Sequence, residues 1–228
     1  MEITPIGHIY NDYTGKFGIP RQSGIAGRML SRIVFHPPYQ VEEAFRELEG
    51  FSHIWIIWQF SENLEKGWSP MVRPPKLGGN RKVGVFASRS PFRPNALGLS
   101  SVKLEQILHT EKEGTVLLVS GADLMNGTPV YDIKPYLAYS DSHPEASTGY
   151  LPPDNPLEVV FDVDLPAALT REKAEVLVSV LAADPRPIYQ VDEDRIYGMN
   201  FGKWNVKFRG SKQVIHVISF EEQEGEEA

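Results

Sequence analysis

Cysteine is absent from the 228-residue chain. That excludes disulfides, thiolate metal sites and cysteine nucleophiles together. Long apolar runs are missing too. The longest lies within Ile54 to Phe60, far short of the roughly 20 residues a spanning helix needs. Met1 to Gly7 has no basic segment followed by an apolar one, so no export signal is read there. The expectation is a cytoplasmic protein with no membrane contact. Glycine fingerprints are lacking as well. No Gly-Lys-Ser/Thr occurs, and Gly78-Gly79-Asn80-Arg81-Lys82-Val83-Gly84 departs from the dinucleotide spacing, which argues against a Rossmann-type nucleotide site. No G-x-S-x-G elbow marks a serine hydrolase. The six histidines are scattered with no pair at ligand spacing, so no metal is expected, and His53 reads as a packed core residue. Between Lys66 and Lys103, finally, there is no Asp or Glu.

That acid-free segment holds eight cations: Lys66, Arg73, Lys76, Arg81, Lys82, Arg89, Arg93 and Lys103. The whole chain sums to −7, which leaves about −15 for the rest. Such segregation predicts a surface that meets an anionic partner, phosphate or nucleic acid first; a solvated basic face is the bland reading. The acidic run from Glu221 to Glu227 reads as a frayed tail.

Most of the chain reads as strand. Phe51 to Phe60 is aromatic and β-branched, and Val83–Phe86, Thr115–Ser120, Leu157–Val163 and Val214–Phe220 are further candidates. Asn205–Arg209 and Val214–Phe220 flank Gly210-Ser211-Lys212-Gln213 as a hairpin. Helix is scarce. Val41, Ala44, Phe45 and Leu48 recur at helical spacing before Gly50, and a second helix is predicted from an N-cap at Thr170 to Ala183, stopped by Asp184-Pro185. Many short strands, with 18 prolines and 19 glycines, favour a barrel or sandwich over alternating β/α order. Prolines and glycines crowd Ser147 to Pro156. Leu157–Val163 is assigned to the first domain, giving domains at 1–163 and 164–228, the second a small α/β unit.

Three polar clusters carry chemistry: Pro20-Arg21-Gln22, the Arg/Pro/Asn-rich stretch Arg89 to Ser100, and Asp123 to Tyr136, where Asn126-Gly127 reads as a tight turn. Taken singly, each is satisfied by a turn or a salt bridge.

Together they are distinctive. Arg73-Pro74-Pro75-Lys76-Leu77-Gly78-Gly79-Asn80, Gly84 to Asn95 and Gly127-Thr128-Pro129-Val130-Tyr131-Asp132-Ile133-Lys134-Pro135-Tyr136 closely resemble the TsaA/TrmO family, and the likeness continues through Asp184-Pro185-Arg186-Pro187. The resemblance implies a mainly β fold, with a single-sheet β-barrel as the catalytic domain. It implies an S-adenosyl-L-methionine-dependent tRNA methyltransferase acting as a homodimer, with the cofactor near the subunit interface. Its substrate would be tRNA bearing threonylcarbamoyl-adenosine 3′ of the anticodon, methylated on the exocyclic nitrogen. Carried over by position, the cofactor contacts would be Pro20, Arg21, Gln22, Ser61, Glu62, Arg89, Leu99, Asp123, Leu124, Met125 and Asn126. The types suit the ligand. Arg21 or Arg89 can fork onto a carboxylate, Asp123 or Glu62 can accept from hydroxyls or an ammonium, and Leu99, Leu124 and Met125 can pack on adenine. Asp123, Glu62 and Tyr131 are the candidate proton acceptors. Arg73, Lys76, Arg81, Lys82, Arg93, Lys203, Lys207 and Arg209 would meet tRNA phosphates. Two positions depart from the family's common pattern: Ser61-Glu62 where it often has His-Gln, and Asn126-Gly127-Thr128-Pro129 where it has Asp-Gly-Thr-Pro. They keep two rival readings open, a non-catalytic RNA-binding barrel and a methyltransferase acting on a small anionic acceptor.

Overall fold

The computed structural model describes residues 2–15, 18–20, 22–25, 29–77, 81–151, 155–186 and 192–223, and the side chain of Lys76 is not described. In chain order the strands are β1 (Gly7–Tyr10), β2 (Leu30–Phe35), β3 (His53–Gln59), β4 (Met71–Val72), β5 (Val83–Gly84), β6 (Leu97–Thr110), β7 (Gly114–Ser120), β8 (Thr128–Pro135), β9 (Glu158–Phe161), β10 (Tyr197–Phe201), β11 (Trp204–Gly210) and β12 (Val214–Glu222). Two α-helices are described, α1 (Ala138–Asp141) and α2 (Arg171–Ala182).

Six strands close a barrel in the order β1-β2-β7-β6-β3-β8, every pairing antiparallel. Closure leaves no unpaired edge. The period of two along β3 sets its faces: Ile54, Ile56 and Trp58 point inward, and the residues between them face outward. Ile9, Ile33, Leu117, Val119 and Val130 complete the interior. Burying a residue of this kind is worth about 1.5–3 kcal/mol. His53, expected in the core, instead stands exposed where β3 begins, because it falls on the outward phase of that alternation.

A second sheet runs β10-β11-β12-β9. On it α2 packs Val176, Leu177, Val180 and Leu181 against Met199, Phe208, Ile215 and Val217. Thr170 caps α2 as expected, its side chain accepting from Lys173 N–H. β9 is the fourth strand of this sheet. The strand assigned to the first domain ahead of a cut at Asp164 pairs in parallel with β12, from Glu158 opposite Val214 to Phe161 opposite Val217. Its hydrogen bonds therefore lie with the second sheet.

The periodicity at Val41–Leu48 does not make one helix. It makes two 3-10 turns, Glu42–Phe45 and Leu48–Gly50. Arg46 is extended and Glu47 is left-handed at φ 66°, so the chain breaks while still delivering Phe45 edge-on to Phe35 at 4.8 Å. Strand β5 stops at Gly84, short of the expected Phe86, and a 3-10 turn, Val85–Ala87, follows.

Two connections shape the site. The link from β1 to β2 crosses to the second sheet, where Tyr13 and Met29 are buried and Ile19 packs against that sheet's core. The link from β3 to β6 holds most of the acid-free segment, folded around the β4–β5 ribbon and a small cluster of Val72, Val83 and Val85.

Candidate active site

A groove of about 630 Å³ lies over one end of the barrel, within the range of roughly 300–1,000 Å³ usual for small-ligand sites. The β1–β2 link supplies Pro20 and Gln22 to its lining. Ser61 and Glu62, from the 3-10 turn after β3, line it too, as do Arg89 and Leu99 from the next link and strand. Asp123 and Met125, from the β7–β8 link, complete the predicted set found there. Residues scattered over a hundred positions are thus gathered by strand pairing. Arg21 lies outside the described residues.

Two predicted contacts fall elsewhere. Leu124 is fully buried in the barrel core, so its side chain packs inward, away from the groove. The direction follows from its neighbours, since a chain that turns Asp123 and Met125 to the groove turns the residue between them away. Asn126 does not line the groove. Its Oδ1 accepts from Asn11 N–H at 3.0 Å, while its own N–H donates to Tyr13 O at 2.9 Å. Asn11 Nδ2 in turn donates to Leu124 O at 3.0 Å. This brace uses only the acceptor oxygen at position 126, which the family's aspartate would also supply. Gly127 completes the turn at φ 77°, a conformation open to glycine at no steric cost.

Asp123 is the electrostatic centre. Burial pushes its carboxyl above the ordinary carboxylate value; Ser100's hydroxyl, the N–H groups of Asp123 itself and Ser23, and the Arg89 guanidinium pull it partly back. Ser100 Oγ donates to Asp123 Oδ1 at 2.5 Å, and Arg89 Nη1 donates to Gln22 Oε1, tying two predicted contacts together. Glu62 is exposed at the rim. Tyr131 does not line the groove; its Oη donates to Gln59 Oε1 at 3.0 Å, and Gln59 does line it.

Sequence reasoning missed Trp58, Ser100 and Gly98. Trp58 reads as part of a buried strand, and Gly98 and Ser100 fall inside the Arg89 to Ser100 stretch without being singled out. What unites them is register, because Trp58 stands opposite Gly98 and Ile56 opposite Ser100. A Cβ on Gly98 would meet the indole at 2.3 Å, so glycine is needed there for the ring to lie against β6. Phe60, 4.3 Å from Trp58 between ring centroids, extends the apolar floor.

The cations divide by what holds them. Arg73, Arg81 and Lys82 are exposed. Arg93 is half-buried, and its Nη1 donates to Val85 O at 3.2 Å and Ser88 O at 2.7 Å, so it braces its own loop. Lys203 pairs with Glu222 at 2.6 Å and Lys207 with Glu221 at 3.4 Å. The start of the acidic run is therefore the end of β12, and Arg209 is exposed on β11 opposite His216. No described helix is long and apolar enough to cross a membrane.

Comparison with known proteins accords with this architecture. The model of the tRNA-methyltransferase O N-terminal domain matches residues 8–142, and that of the TrmO C-terminal domain matches 154–223. The chain is 39% identical to the tRNA (adenine(37)-N6)-methyltransferase of Escherichia coli K12, over 97% of this chain and 98% of that one. It is 40% identical to a putative S-adenosylmethionine-dependent methyltransferase of Pseudomonas aeruginosa, over 95% and 96%. A crystal structure of TrmO from Pseudomonas aeruginosa superposes with a TM-score of 0.73 at 29% identity, over 97% and 98%. With both of its units matched in order and nearly its full length aligned, the chain belongs to the TrmO family.

Proposed function

We propose that this protein transfers a methyl group from S-adenosyl-L-methionine to the exocyclic N6 of adenosine 37 in tRNA, and that the adenosine already carries threonylcarbamoyl. Family membership supports the reaction class, since a relative matched end to end is named for that reaction. The observation that carries the site is Asp123, buried at the groove with its carboxyl held above the ordinary value. A base is most effective when its pKa approaches the working pH, and burial moves Asp123 that way.

The residues present fit the cofactor. Arg89, held by Gln22, offers a fork for the methionine carboxylate. Leu99 and Met125 wall an apolar slot with Pro20, while Ser61 and Glu62 supply polar groups at the rim. When bound, the cofactor supplies a methyl already activated on a positively charged sulfur. The protein then has to align, exclude water and take a proton. Alignment falls to the groove walls, and Trp58 and Phe60 keep its floor dry. The threonylcarbamoyl group acidifies the N6 proton and draws on the nitrogen lone pair, so a proton acceptor beside N6 raises its nucleophilicity; Asp123 takes that role ahead of Glu62 and Tyr131.

Arg73, Lys76, Arg81 and Lys82 on the β4–β5 link meet phosphates, with Arg93, Lys203, Lys207 and Arg209 as further contacts. The protein works as a homodimer, in which a second copy would cover the exposed Leu99 beside the groove, and it acts in the cytoplasm with its tRNA. Its first domain ends before the residues matched by the second family model. The test is incorporation of labelled methyl from S-adenosyl-L-methionine into tRNA from a strain lacking the corresponding enzyme. Incorporation that disappears with tRNA free of threonylcarbamoyl is the expected result. Equal labelling of both tRNAs would overturn the substrate, and none at all would overturn the activity.

A further inference from the structure

Three residues at the barrel end form a one-way chain of hydrogen bonds. Trp58 Nε1 donates to Ser100 Oγ at 2.9 Å, a fully buried contact, and Ser100 Oγ donates to Asp123 Oδ1 at 2.5 Å. The polarity is fixed by chemistry. An indole N–H can only donate, and a serine hydroxyl has a single proton. With one Ser100 lone pair taken by Trp58, that proton is directed at the carboxylate, as a short, charge-assisted bond. Bulk water does not compete for it, because Ser100 is 1% exposed and Trp58 7%. The barrel commits backbone to the arrangement too. Gly98 is bare where the indole lies, and register places Gly98 and Ser100 on the same inward face of β6.

We propose that Ser100, itself oriented by Trp58, is a positioning residue for methyl transfer that fixes the Asp123 carboxylate in one orientation at the groove. The inference rests on Asp123 as the proton acceptor. A carboxylate free to rotate would present its lone pairs to N6 for only part of the time. Ser100 pins one oxygen, and Ser23 on the opposite wall contributes a backbone donor. The same bond has an electrostatic consequence. Burial favours the neutral carboxyl and the Ser100 donor opposes it, so Ser100 widens the pH range over which Asp123 is charged and able to accept.

The test is the pH dependence of kcat/KM for tRNA methylation by Ser100→Ala, Ser100→Thr and Trp58→Phe, with Asp123→Asn as reference. In Ser100→Ala the acid limb moves to higher pH, and the rate at any pH below the limb falls several-fold. Ser100→Thr, which keeps the hydroxyl, restores the wild-type limb. Trp58→Phe keeps a ring but leaves the hydroxyl free to turn, and its limb moves the same way by less. The carboxyl carbon-13 shift of Asp123, titrated in the same folded variants, reports the move independently of turnover. If Asp123→Asn abolishes turnover while the limb and the carbon shift stay in place in Ser100→Ala, the role of Ser100 is overturned and that of Asp123 stands. If Asp123→Asn turns over normally, the proton acceptor is misassigned and the role of Ser100 falls with it. Should Ser100→Ala not fold, Trp58→Phe decides alone: an unmoved limb overturns the proposal.

Discussion

Asp123 illustrates how one residue sets function against stability. Its charge is the form that accepts a proton, and burial makes that form costly. The folded state therefore holds the Asp123 proton more tightly than the unfolded chain does. The stability that this contributes is complete below the ordinary aspartate value and is lost as pH rises through the raised one. Asparagine removes the charge and keeps the shape. Asp123→Asn should thus raise Tm by a few degrees near neutral pH, consistent with about 1 kcal/mol, with little gain in acid, while turnover falls by about 10²–10⁴. Thermal melts at two pH values, with single-turnover methylation, check both halves; a lower Tm at neutral pH would sink the argument. At this scale the sequence was legible where a residue type is unusual in its setting. Pro20, Gln22, Arg89 and Asp123 stand out in loops. Trp58 and Ser100 do not, since their meaning depends on which strand lies beside them.

At the scale of elements, the motif Asp184-Pro185-Arg186 is a clamp. Arg186 is buried, and its guanidinium donates to Asp184 Oδ1 at 2.7 Å, to Ser211 O at 2.6 Å and to Gly210 O. It ties the end of α2 to the β11–β12 turn, and Asp184 accepts the strained left-handed φ of 50° to reach it. Truncation strands a buried carbonyl pair and unpairs Asp184. Arg186→Ala should cost about 3 kcal/mol in a denaturant titration, and Arg186→Lys should rescue little because an ammonium lacks the fork. Full stability in the lysine variant would count against the clamp. The β4–β5 link behaves differently, because its exposed Arg73, Arg81 and Lys82 have little to hold in the fold. Replacing all three by alanine should leave Tm within a degree or two and flatten the salt dependence of tRNA binding. Its log–log slope would drop by about 2–3 in magnitude if each cation meets one phosphate, and an unchanged slope would remove the link from the RNA surface. Elements were legible where one signal dominates, as with the Thr170 cap or the alternation of β3. They were misread at Val41–Leu48, where the spacing is helical but Glu47 turns left-handed to deliver Phe45.

At the scale of the molecule, the groove is not the property of the barrel alone. The β1–β2 link that carries Pro20 and Gln22 is rooted in the second sheet. Asp12 O accepts Gly202 N–H at 3.0 Å, Asp12 Oδ2 pairs with Lys173 at 2.5 Å, and Tyr13 is buried among α2 and β10 to β12. No periodicity announces this, since the partners lie some 160 residues or more apart in sequence and the link reads as a Tyr/Gly-rich surface loop. Gly18 shows how close the fit is. At φ 98° it lies over Met199, and a Cβ there would meet Met199 Cγ at 2.2 Å. Shortening Met199 from below should therefore act on the groove at a distance. Met199→Ala opens a cavity under the link and should lower stability by about 2–5 kcal/mol. Val217→Ala, in the same core but two strands away on β12, serves as the matched control. Measured by calorimetry well below either melting point, S-adenosyl-L-methionine should bind Met199→Ala several-fold more weakly than Val217→Ala, because only the first loosens the wall that carries Pro20 and Gln22. Equal affinities in the two variants would mean that the second sheet supports the link without shaping the site.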